Sequence, residues 1–134
     1  MDAYLSRNAN AELNAVHLLF SEEGGSGFLL GHKRGHRIHI ERIFPSCLGS
    51  FPSEEDYFKL KKFFNDKIIG FYSVQPEETI RKKILSPLGQ GKLLLEIFSG
   101  EEQYPSIQAY LVDYDEAFVM IPIKILSEGS EQNE

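Results

Sequence analysis

Residues 67–76 read Lys-Ile-Ile-Gly-Phe-Tyr-Ser-Val-Gln-Pro, an apolar run that contains a glycine and is closed by a proline. Such a run, too short and too uniformly apolar to show a polar face, predicts a strand buried on both sides. Side chains alternate along a strand, so Ile69, Phe71, Ser73 and Gln75 fall on one face and Ile68, Gly70, Tyr72 and Val74 on the other. Two polar residues then stand two apart at the carboxyl end of a buried strand, where open sheets keep their binding sites.

The flanks of this strand are helical in pattern. Upstream, Tyr57, Leu60 and Phe64 recur at helical spacing after Ser53 and Asp56, a capping-box pair, which predicts a helix over 54–65. Downstream, Pro76 suits a first helical position. Glu77 and Glu78 complement the amino end of that helix and Arg81, Lys82 and Lys83 its carboxyl end, with Ile80 and Ile84 facing the core and Ser86-Pro87 as the stop.

Further out, Ala9, Leu13, Val16 and Phe20 mark one face of an amino-terminal helix, with Ser6, Asn8 and Asn10 as alternative caps and Tyr4-Leu5 as a short strand before it. The runs 27–31 and 37–43 predict a hairpin turning at His32-Lys33-Arg34-Gly35. His32, His36 and His39 lie in that hairpin. The odd spacing of 36 and 39 sends them to opposite faces, which argues for titratable surface histidines over a metal site. Beyond Gly91 the pattern gives three strands, 92–98, 106–112 and 117–126, the last with Pro122, which belongs on an edge or at a bulge. The expected organisation is one domain over 1–126 and a disordered acidic tail over 127–134.

Composition excludes several classes of function. With 134 residues and a net charge of −6, the chain has the size of one domain and lacks the basic surface that nucleic acid or an anionic membrane requires. No run reaches the ~20 apolar residues of a membrane helix. The single cysteine, Cys47, rules out an intrachain disulfide and a multi-cysteine zinc site, and a cytoplasmic location is the expectation. No cofactor is expected.

Gly70-Phe71-Tyr72-Ser73-Val74-Gln75-Pro76 resembles the Gly-Trp-Tyr-His-Ser-His-Pro signature of the JAB/MPN (JAMM metalloprotease, Mov34-like) family, with both zinc histidines replaced. Gly27-Phe28-Leu29-Leu30-Gly31 is similar to the family's early strand. The order of helices and strands follows the family across nearly the whole chain. The resemblance implies an α/β fold of the α+β type, a mixed, mostly antiparallel sheet flanked by helices in the JAB/MPN-like, cytidine deaminase-like arrangement. It also implies that Ser73, Gln75 and Ser86 stand at former metal-ligand positions and that Glu22 or Glu23 stands where the family keeps its general base. No aspartate or histidine occurs between Ser73 and Tyr110, so no shift of register restores the ligands. A serine hydroxyl and a glutamine amide neither hold zinc nor bring a bound water to a pKa of about 7.

The function expected from the resemblance is that of a pseudoenzyme: a non-catalytic protein-binding or assembly module without zinc-dependent isopeptidase activity. Its protein partner would be a second copy, a catalytic relative, or a ubiquitin-like tail added as a strand at a sheet edge. The alternative is an enzyme or small-ligand binding protein that uses the altered cleft around Ser73 and Gln75, for which a histidine close to the Ser73 hydroxyl would be needed. A third reading treats the resemblance as accidental, leaving another mixed sheet with flanking helices.

Overall fold

The computed structural model describes residues 1–20, 25–45, 54–75, 78–98 and 106–127. Among these residues seven strands and three α-helices follow in the order β1 (Asp2–Leu5), α1 (Arg7–Phe20), β2 (Ser26–Arg34), β3 (Arg37–Pro45), α2 (Glu54–Phe64), β4 (Ile68–Val74), α3 (Glu78–Ile84), β5 (Leu93–Phe98), β6 (Ser106–Asp115) and β7 (Ala117–Ser127). A 3-10 turn over Asn65–Lys67 joins α2 to β4. The strands form a closed barrel in the order β1-β3-β2-β4-β5-β6-β7. Closure is the work of β1, which pairs in parallel with β3 on one side and with β7 on the other.

This corrects the expected fold class. The strands do not make an open JAB/MPN-like, cytidine deaminase-like sheet flanked by helices; they close on themselves. The physical reason lies at the amino terminus, where Ala3 and Leu5 are buried and their backbone carries two ladders at once. A strand that short gives almost no periodic signal in sequence.

Inside the barrel, Leu29, Ile38, Ile40, Tyr72, Val74, Leu93, Leu95, Ile97 and Ala109 form one apolar cluster, which Ala9, Leu13 and Val16 of α1 join. Helix α1 starts at Ser6, whose hydroxyl accepts from the Ala9 amide at 3.0 Å and donates to the Glu41 carbonyl at 2.9 Å. The cap therefore starts the helix and ties it to β3. Outside the barrel a second cluster, Phe28, Phe71, Leu94 and Val112 with Tyr57 and Ile84, seats α2 and α3 against β2, β4, β5 and β6.

Strand β4 is the centre of both clusters, as its sequence predicts: all seven residues are buried. Its glycine is required by packing. A Cβ at Gly70 would lie 2.3 Å from the Leu93 carbonyl oxygen on β5, and one at Gly27 would lie 2.6 Å from the Tyr72 ring. Burial of the Tyr72 phenol and the nearby charge of Glu12 push its pKa well up, so this side chain stays neutral inside the barrel.

Several local expectations shift by a few residues. The hairpin turns at Gly35-His36, so His32 belongs to β2 rather than to the turn. Strand β6 runs on to Asp115, and Glu116, at φ 62°, alone makes the tight reversal into β7. Strand β7 ends at Ser127, paired with Leu5. Cys47, the capping serine Ser53, Pro76, Glu77 and residues 128–134 lie outside the described residues, as do the side chains of Phe20, Asp56 and Ile80.

Because rigid backbone of β5 faces Gly70, Gly70→Ala should destabilise the barrel by about 1–3 kcal/mol, the usual range for overpacking. Urea denaturation checks this; an unchanged midpoint would show that β4 and β5 can separate locally.

Candidate functional site

The outer face of the barrel changes character toward the carboxyl end of β4. Two residues beyond the apolar positions Phe28, Phe71, Leu94 and Tyr110 in the direction of that end come Ser26, Ser73, Glu96 and Gln108, and strand register sets them side by side: Ser26 opposite Ser73, Ser73 opposite Glu96, Glu96 opposite Gln108. The first three are buried polar groups. A polar row therefore crosses four adjacent strands at the end of the outer core.

Glu96, fully enclosed, is held by Arg81 of α3: the guanidinium Nε donates to Oε2 at 2.8 Å and Nη2 to Oε1 at 2.6 Å. Those hydrogen bonds push the arginine pKa above its ordinary value. The Tyr110 hydroxyl donates to Gln108 Oε1 at 2.7 Å. Ser73 differs from both, since its buried Oγ has no hydrogen-bond partner among the described residues.

The residues expected from sequence do not converge. Ser73 is sealed in the row just described. Gln75 lies past the end of β4 in a left-handed conformation, φ 54°, with its amide donating to the Ile97 carbonyl at 2.8 Å. Ser86, at the end of α3, donates its hydroxyl to the Lys83 carbonyl at 2.7 Å. Glu22 and Glu23 lie outside the described residues. Among the described residues no group of three or more His, Cys, Asp or Glu side chains could hold a metal ion, and no histidine reaches the Ser73 hydroxyl.

Sequence reasoning missed the Arg81–Glu96 pair, assigning Arg81 to the helix dipole. The signal was present: a glutamate within Leu-Leu-Leu-Glu-Ile-Phe on a strand that reads as buried requires a cation, and the helix just before it carries three.

On the far side of the hairpin, His32 and His39 are register partners whose rings stack at 4.9 Å and 9°. His32 Nδ1 is 2.6 Å from Glu41 Oε1, and Arg37 lies over the Tyr4 ring, which also meets His39. The expected opposition of faces concerned 36 and 39; the pair that meets is 32 and 39. Partial burial lowers the His39 pKa first, and the charges of His32, Arg37 and Arg34 lower it further against the opposing pull of Glu41.

No protein-family model matches the sequence, and no curated protein matches it. Among solved structures the chain is similar to the solution structure of protein DSY2949 from Desulfitobacterium hafniense, with a TM-score of 0.68 and 16% identity over 94% of this chain and 92% of that one. At that identity the likeness shows the fold alone, a small barrel. It overturns the JAB/MPN resemblance, and with it the Mov34-like and metalloprotease-like description of the chain. In the short Gly-Phe-Tyr-Ser-Val-Gln-Pro match the glycine has a local reason, the close approach of the β5 backbone at Gly70.

Arg81→Ala should leave a carboxylate enclosed without its cation and cost about 2–3 kcal/mol, somewhat below the figure for a wholly buried pair because Arg81 is 40% exposed. Glu96→Leu, which frees Arg81 to turn into water, should cost about 1 kcal/mol or less by denaturant titration. Equal losses from the two substitutions would contradict the asymmetry of burial.

The His39 shift makes a separate prediction. Its folded pKa lies below the unfolded value of 6.5, so the unfolded chain binds the proton more readily, and the contribution is fully present above 6.5 and declines as pH falls toward the folded value. His39→Gln should flatten that part of the thermal-midpoint profile. A wild-type midpoint independent of pH across this window would contradict it.

Proposed function

We propose that this chain is a non-catalytic protein-binding or assembly module that docks through the side chains of β7. The carrying observation is the run Phe118-Val119-Met120-Ile121-Pro122-Ile123, apolar at every position, in which no residue is fully buried and Val119 and Ile121 are 39% and 41% exposed. A strand of that composition belongs between two layers, yet β7 has β6 on one side and, over these six residues, no strand on the other among the described residues. Tyr114, register partner of Phe118 and 52% exposed, adds apolar surface on the opposite face of the strand pair, the one shared by Phe118, Met120 and Pro122. Surfaces of this kind mark protein contacts.

Strand addition is the weaker mode of docking. Pro122 has no N–H to offer a further ladder, and closure of the barrel leaves little free edge. The ubiquitin-like tail loses its motive together with the family resemblance. Against catalysis stand the absence, among the described residues, of a histidine near Ser73 and the engagement of Ser86 with backbone. The proposal includes a cytoplasmic setting; among the described residues, no helix is long and apolar enough to cross a membrane.

Ile121→Asp and Val119→Asp test the proposal, since partly exposed positions tolerate substitution. Size analysis of the tagged chain in native extract should show an assembly larger than the monomer, weakened at least ~10-fold by either change with the thermal midpoint nearly kept. A wild-type chain that runs as a monomer both purified and in extract would refute it.

A further inference from the structure

The opposite end of β4 opens onto a cleft of about 410 Å³, between α2, the 3-10 turn, β2 and the approach to β5. Its volume is that of a small-molecule site. In a chain of net charge −6, the cleft gathers Lys33, Lys61 and Lys92 on its walls beside the His32 ring, with Asp66 as the acidic member. That concentration of cations is local and opposes the charge of the whole molecule.

Two of the ammonium groups are fixed in place. Lys33 Nζ donates to the Gly91 carbonyl at 3.1 Å, bridging β2 to the turn before β5. Lys92 Nζ lies 5.5 Å from the centroid of the Tyr57 ring, a cation–π contact on the cleft wall. The turn itself is tied down, because Gly91 donates to the Val112 carbonyl at 2.8 Å and Val112 donates to that of Lys92 at 3.0 Å. On the rim, Asn65 holds a left-handed backbone, φ 52°, which asparagine adopts more readily than other non-glycine residues.

We propose that this cleft binds a small phosphate-bearing molecule, with Lys33 and Lys92 as the principal contacts and Lys61 as an outer one. An ammonium is a compact point charge with three donors, suited to phosphate oxygens, and each of these two keeps donors free after its protein contact. The bound anion would replace the mutual repulsion of the lysines with attraction. No residue that lines the cleft belongs to β7, so occupation of one does not require occupation of the other.

The test is a titration of the isotope-labelled full chain with sodium pyrophosphate at constant ionic strength, followed by amide chemical shifts. Saturable one-to-one shifts confined to the amides around Asn65, Ile69, Gly91 and Lys92 are expected. Lys33→Gln with Lys92→Gln should weaken binding at least ~10-fold and Lys61→Gln alone about threefold, whereas Lys82→Gln on α3 should leave it unchanged. Dispersed amide spectra establish that each variant is folded. Shifts that are spread over the surface and never saturate, undiminished binding in the lysine variants, or citrate binding as tightly as pyrophosphate would each overturn the assignment.

Discussion

Everything in this barrel depends on four residues, Asp2–Leu5, being held between β3 and β7. Both pairings are parallel, and together they join the two ends of the chain. Ala3 and Leu5 are buried in the interior cluster, so the strand is anchored by apolar contact as well as by its ladders. Without it β3 and β7 would each present an open edge, the arrangement that invites aggregation. Its partners on β7 lie far away in sequence, so the loop that closure forms is nearly the whole chain. Loop closure of that length is entropically costly and is repaid only once the remaining ladders exist, which places closure late in folding.

The same constraint explains what could be read from the sequence. Strand β4 was legible because an apolar run around a glycine has few other physical solutions. The helices at 54–64 and 7–20 were legible because their apolar faces repeat at helical spacing. The barrel was not, since closure is decided by pairing partners and four residues carry no detectable period. A short motif then supplied a family the rest of the chain does not support. The histidines show a similar limit: alternation along one strand says nothing of His36, which lies in the turn, while the contact between His32 and His39 depends on register across two strands, with a shift between Leu30 and Gly31.

The buried row at the end of β4 was half legible. Ser73 was singled out for its position, and it is indeed enclosed, yet the group that decides the chemistry there is Glu96. A carboxylate at full burial costs far more than a hydroxyl, and the bidentate arginine from α3 offsets that cost. The pair fixes α3 on the barrel at a defined angle, because a planar fork accepts few geometries. Specification of the docking of a helix is a sufficient reason for the pair to exist. It requires no reaction.

An apolar run on β7 and a cationic cleft at the amino end of β4 ask for different occupants. Apolar surface is covered by area, which a protein partner supplies, and salt barely alters it. A cleft with two fixed ammonium groups is satisfied by a compact anion, whose attraction falls as salt screens it. The strands that carry these features belong to one continuous sheet: β4 pairs with β5, β5 with β6, and β6 with β7. Lys92 immediately precedes β5, and its backbone carbonyl accepts from Val112, which pairs in turn with Met120 between Val119 and Ile121. A route of hydrogen-bonded backbone therefore joins the cleft to the exposed run. Coupling along it would need two arrangements of the β5–β6 connection that the two occupants favour unequally; a rigid ladder transmits nothing by proximity alone.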